Sequence, residues 1–211
     1  MAETKTDLLE DVAGYYANRI AEHGQTAAGV DWNSSAGQIL RFDQLLKLVD
    51  RSKPYSIADI GCGYGALFEY LGQSGHVARY LGVDVAEPMI KAAESRFPGA
   101  KNASFRLGSA LGEMVDYVVA SGIFNVRLGR TSDEWQAYML ETLDMMNESS
   151  SLGFSFNCLT SYSDADRMRP DLYYANPLDL FDLCKRRYSR QVALLHDYEL
   201  YEFTIIVRKQ K

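Results

Sequence analysis

Cysteine is scarce in this chain: three among 211 residues, at Cys62, Cys158 and Cys184. An odd number at such wide spacing builds neither a disulfide framework nor a zinc knuckle, and reduced thiols in a cytoplasmic protein are the expectation. Long apolar runs are missing too; none reaches the ~18–20 residues that a membrane span needs. The opening MAETKTDLLEDV is polar and acidic, which is unlike a secretory signal. Basic residues are in the minority, Lys+Arg 22 against Asp+Glu 28, for a formal net charge of −6. That balance argues against a grip on nucleic acid or on an anionic membrane through general charge, though not against a local basic pocket. Histidine is limited to His23, His76 and His196. No His, Cys, Asp or Glu grouping has metal-ligand spacing, so no metal is expected.

What is present is ordinary globular composition, 47% hydrophobic and 24% charged, and enough chain for one domain over residues 1–211. Residues 7–22 carry apolar positions at helical spacing, and a second such stretch runs over 36–50 behind a Gly- and Ser-rich loop with Ser34 or Ser35 as its cap. From Tyr55 the pattern changes. YSIADI, VARYLGVDV, ASFRLG, VDYVVAS and LGFSFNCL read as strands. Helices over 66–72, 87–97 and 131–147 alternate with them, and a further helix covers 177–188. QVALLHDY and LYEFTIIVRK follow, joined so tightly that they form an antiparallel hairpin. The order predicts an α/β fold: a seven-stranded, mostly parallel sheet with helices on both faces and a closing antiparallel hairpin. Residues 1–50 form a helical extension, residues 51–211 the Rossmann-like core, and 160–176 an irregular insert.

The informative stretch is Ile57-Ala58-Asp59-Ile60-Gly61-Cys62-Gly63-Tyr64-Gly65-Ala66. A strand ends at an acid and a glycine loop opens a helix, leaving space for a ligand against backbone and unpaired N–H groups. The glycines alone also fit a dinucleotide pattern. Asp59 separates the two readings. A carboxylate two residues before the first glycine repels a pyrophosphate and suits a ligand carrying an ammonium and a sulfonium. Asp84, at the end of the second strand, is placed to accept both ribose hydroxyls.

DIGCGYG followed by GVDVAEPMIKAA resembles the class I S-adenosylmethionine-dependent methyltransferases, in motif detail over about residues 55–160. The resemblance implies S-adenosylmethionine as cofactor. It places Asp59, Gly61, Cys62, Gly63 and Gly65 around the methionine portion and Asp84 at the ribose. Val85 and Met89 fall against the adenine, with Ser109 and Ala110 at its edge, where many relatives carry an acid. Ser121 falls under the sulfonium. HGQTAAGVDWN and the helix after it resemble the cofactor-covering extension of a bacterial subgroup. There Arg41 would pair with the methionine carboxylate and Trp32 would close the pocket; a solvated helix charge and a loop anchor are the respective alternatives.

Methyl transfer is an in-line displacement that asks the protein mainly to align the acceptor. The motifs of amino-methylating and cytosine-methylating nucleic-acid enzymes are absent after the fourth strand, where Ser121-Gly122-Ile123-Phe124-Asn125 stands instead. The expected acceptor is therefore a small molecule, methylated at oxygen, with no nucleic acid or membrane partner and a homodimer compatible with the reading. Asn125 is the candidate for orienting the acceptor, and His23 or His196 for a general base. Tyr16, Tyr162, Arg167 and Arg169 are the candidate acceptor contacts, suiting a small anionic or hydroxylated group. A protein or peptide acceptor, a non-catalytic cofactor-binding module and a nicotinamide oxidoreductase are the competing readings.

Overall fold

In a computed structural model the described residues are 2–73 and 79–209; His76 lies outside them. The first helix, α1 (Ala2–His23), and the second, α2 (Ser35–Leu45), precede the sheet. Ser34 is the cap of α2, its Oγ accepting Gly37 N–H at 3.0 Å. Then come β1 (Ser56–Ile60), α3 (Ala66–Gln73), β2 (Arg79–Asp84), α4 (Glu87–Arg96), β3 (Ala103–Leu107) and β4 (Val115–Ala120). The chain continues through α5 (Ser132–Ser149), β5 (Ser150–Thr160), β6 (Tyr174–Ala175), α6 (Pro177–Arg187), β7 (Gln191–Leu195) and β8 (Glu202–Arg208). α5 starts on a capping box in which Thr131 and Glu134 exchange side-chain-to-backbone bonds.

The sheet order is β3-β2-β1-β4-β5-β8-β7, and the short β6 pairs with β5. Strands β1 to β5 run parallel; β8 lies antiparallel between β5 and β7, so the terminal hairpin takes the expected form. The insert is less irregular than its sequence implied. Its Tyr174–Ala175 strand pairs with Leu159–Thr160, making eight strands rather than seven.

Apolar side chains fill both faces. Met139 and Leu143 of α5 pack on Phe124, Phe154, Phe156 and Phe203 on one side. Phe42 of α2, Leu67 and Leu71 of α3 and Ile90 of α4 pack with Leu46 on Ile57, Tyr80 and Val119 on the other. β1 is covered on both faces, which is why Ile57, Ala58 and Ile60 are all buried. Strand order reverses between β1 and β4, which opens a crevice at their carboxyl ends. Asp59, Asp84 and Ser121 all arrive at that crevice.

Candidate active site

The crevice is a cavity of about 170 Å³. Its floor is Asp59, Gly61, Cys62 and Gly63 from the β1–α3 loop, Asp84, Val85 and Met89 from the β2–α4 junction, and Ser109, Ala110 and Ser121 from the next two strand ends. Gly61, Gly63 and Gly65 all have positive φ, so the loop turns with its backbone facing the space. At Gly61 a Cβ would sit 2.3 Å from Ile123 Cγ2, which leaves no other residue room.

Two acids dominate the electrostatics. Asp59 is 3% exposed; its Oδ2 accepts Tyr80 O–H at 2.7 Å, while Oδ1 is buried with no hydrogen-bond partner. Burial raises its pKa to about 7, Tyr80 partly opposing and the nearby Asp84 adding to the rise. An orphaned buried carboxylate oxygen calls for a hydrogen-bond donor, which a ligand's ammonium would supply. Asp84 is held by Gly63 N–H and Ala86 N–H, each at 2.9 Å, and burial outweighs these bonds to raise its pKa as well. Ser121 Oγ is a second buried atom without a partner. A cationic nucleoside with ribose hydroxyls fits this donor set; a pyrophosphate would meet two carboxylates.

The roof was not legible in the motif. Leu9, Val12 and Tyr16 of α1 and Tyr138, Glu141, Thr142 and Met145 of α5 close the cavity, with Gln38, Phe42 and Tyr64 completing it. Both helices contribute at helical spacing, so one face of each points inward. Tyr16 is half-buried, and desolvation pushes its hydroxyl far above the usual tyrosine range.

A second cavity of about 390 Å³ adjoins the first. The two share Tyr16, Val30 and Trp32. Asn125, Arg167, Arg169, Tyr174, Tyr201 and Glu202 are among its other walls. Asn125 is 4% exposed, and its Oδ1 accepts Leu159 N–H at 3.1 Å. Arg169 grips Asp171 through two hydrogen bonds.

Several of the expected site residues stand elsewhere. Arg41 lines the second cavity, not the first: its guanidinium is engaged by the buried Glu202 in a bidentate pair. Gly65 lies outside both linings; its positive φ serves packing against Phe97 and Phe105. His23 ends α1 beside Glu22, and His196 packs exposed between Tyr162 and Phe203; neither is in the lining of these two cavities. Tyr162 is 64% exposed and outside both. The cysteines are free and buried. Among the described residues no His/Cys/Asp/Glu group could hold a metal, and no helix is long and apolar enough to cross a membrane.

Residues 57–149 match a family model described as a methyltransferase domain. A Mycobacterium tuberculosis protein, methyltransferase Rv1506c, whose name marks the activity as provisional, is 58% identical over 164 residues. The match spans 78% of this chain and 99% of that protein. Nocamycin O-methyltransferase of Saccharothrix syringae is 37% identical over 86 residues, 39% of this chain and 29% of that enzyme. The solved DhpI-SAM-HEP complex superposes with a TM-score of 0.66 at 16% identity, over 96% of this chain and 98% of that one. The chain belongs to the class I S-adenosylmethionine-dependent methyltransferases. The solved DhpI neighbour holds S-adenosylmethionine.

Proposed function

We propose that the chain places the donor methyl on an oxygen of a small acceptor docked in the second cavity. The observation that carries this is the shared wall: a walled space of about 390 Å³ meets the donor cavity across Tyr16, Val30 and Trp32. A walled pocket at the mouth of a crevice suits a small molecule.

In this reading Asp59 Oδ1 accepts the donor's ammonium, and the backbone of Gly61, Cys62 and Gly63 lies along its methionine portion. Asp84 takes the ribose hydroxyls, Val85 and Met89 pack on the adenine, Ser109 and Ala110 border it, and Ser121 lies under the sulfonium. The bound donor supplies a methyl on a good leaving group. The chain's own residues supply alignment. The Asn125 amide is oriented by Leu159 N–H, so its NH₂ is the group offered to an acceptor oxygen. Arg167 and Arg169 bring two cations to the outer wall. These donors, and the oxygen chemistry named for the nocamycin enzyme, favour oxygen over nitrogen.

The test is release of S-adenosylhomocysteine on mixing protein and S-adenosylmethionine with separate panels of small carboxylic acids, phenols and alcohols, amines, and peptides. Turnover confined to oxygen acceptors is expected. Turnover with amines or peptides alone would overturn the reading. Tight cofactor uptake with silence on every panel would favour a binding module.

A further inference from the structure

We propose that Trp32 is the partition that sets how an acceptor meets the methyl donor, and that a buried Arg41–Glu202–Asn157 network fixes its position. This rests on the two-cavity reading above and deepens it. Trp32 lines both cavities. The Arg41 guanidinium covers its ring, 3.8 Å from the centroid. Its far edge rests on Gly122, where a Cβ would come within 2.3 Å of the indole and where φ is +78°. The ring is therefore clamped between a cation and a glycine.

The two jaws of that clamp are joined behind the ring. Arg41 Nε donates to both carboxylate oxygens of Glu202 at 3.0 and 2.9 Å, and Nη2 donates to Oε1 at 2.5 Å. Glu202 Oε2 accepts Asn157 Nδ2 at 2.5 Å, and Asn157 Oδ1 accepts Gly122 N–H at 2.8 Å. The contacts close a circle from Trp32 through Arg41, Glu202, Asn157 and Gly122 back to Trp32. Arg41 is 7% exposed and Glu202 1%, so solvent does not loosen the circle. A buried ion pair contributes little net stability against an apolar replacement. Its value here is location. Only arginine combines a bidentate fork with a flat face for the indole. Gly122 directly follows Ser121, whose unpartnered hydroxyl faces the donor cavity, so any shift of the partition reaches the floor beside the methyl.

Trp32 is thus a specificity-determining residue, and Arg41, Glu202 and Asn157 are positioning residues. Three variants test this: Trp32→Phe, Trp32→Ala and Glu202→Gln. The readouts are S-adenosylhomocysteine titration by calorimetry, kcat and KM on the oxygen-acceptor panel, and tryptophan emission. Trp135 is the second indole of the chain, buried against Phe124, so the wild-type minus Trp32→Phe spectrum isolates Trp32. Trp32→Ala is expected to lower kcat by about tenfold to a hundredfold, as misalignment does, with a much smaller loss of S-adenosylhomocysteine affinity and a gain of bulkier acceptors. Trp32→Phe recovers most of the kcat. Glu202→Gln keeps the shape, shifts Trp32 emission to the red and raises its quenching by acrylamide. Affinity and kcat falling in parallel in Trp32→Ala, or neither changing, would overturn the partition. Unchanged Trp32 emission in Glu202→Gln would overturn the strut. Loss of binding in the wild type would instead sink the donor site, and Trp32→Phe and Trp32→Ala decide the partition without touching the ion pair.

Discussion

Cofactor binding should titrate with Asp59. Its carboxylate is buried, has Tyr80 as its hydrogen-bond donor, and has a pKa raised to about 7. An ammonium binds the ionised form, so every pH unit below 7 removes about a factor of ten from the competent fraction, or about 1.4 kcal/mol. The apparent Kd for S-adenosylhomocysteine should therefore be roughly tenfold weaker at pH 6 than at pH 8, with nearly one proton released per ligand bound at the lower pH. Calorimetry in buffers of different ionisation enthalpy measures both quantities. The sign for stability is opposite. The folded pKa lies above the ordinary 3.8, so between about pH 4 and 7 the folded state holds the extra proton. Stability of the free protein falls as pH rises through that window, by an upper bound of order 4 kcal/mol. Asp59→Asn keeps the shape and removes the titration. It should flatten the pH dependence of binding, weaken binding at pH 8, and stabilise the free protein there. A Kd that does not change between pH 6 and 8, or an equal slope in Asp59→Asn, would refute the assignment of the ammonium to this side chain.

Asp84→Ala removes the proposed ribose acceptor and the partner of Gly63 N–H. Differential scanning fluorimetry should show the wild type gaining ~2.7 kcal/mol at a hundredfold excess of S-adenosylhomocysteine over its Kd, and the variant gaining almost nothing. Glu202→Ala strands Arg41 as a buried unpaired cation, and urea unfolding should read a loss of about 3–5 kcal/mol. Gly65→Ala forces φ +82° on a residue with a Cβ, 2.7 Å from the Phe97 ring, and should lose ~1–3 kcal/mol. Because Gly65 lies outside the cavity lining, S-adenosylhomocysteine affinity in that variant should stay near wild type.

The fold was readable wherever the signal was local. A change from helical to strand periodicity, glycines at a tight turn and caps such as Ser34 and Thr131 each act over a few residues. Asp59 and Asp84 were readable because parallel neighbours β1 and β2 deliver their carboxyl ends to the same place. Gly65 stands off the lining, and sequence could not say so, because a positive φ looks alike whether it serves a ligand or, as here, spares the rings of Phe97 and Phe105. The Arg41–Glu202 pair spans 161 residues, and no short-range pattern announces that α2 crosses the start of β8. With the partner unseen, Arg41 looked like a hand for the cofactor's carboxylate. The inward face of α5, at Tyr138, Glu141, Thr142 and Met145, mixes polar and apolar residues, so its periodicity gave no sign that it lines a cavity.

The family match begins only at residue 57 and stops at 149. Tyr16, Trp32, Arg41, Arg167, Arg169 and Glu202 all lie outside it, whereas Asp59, Asp84 and Ser121 lie inside. The match thus covers the floor of the donor cavity and stops short of its roof, where Leu9, Val12 and Tyr16 stand, and of the Val30–Trp32 wall that both cavities use. Exchanging the N-terminal flank would therefore reshape the donor roof and the wall of the second cavity together. A chimaera carrying a relative's N-terminal flank should accordingly change donor affinity and acceptor choice at once.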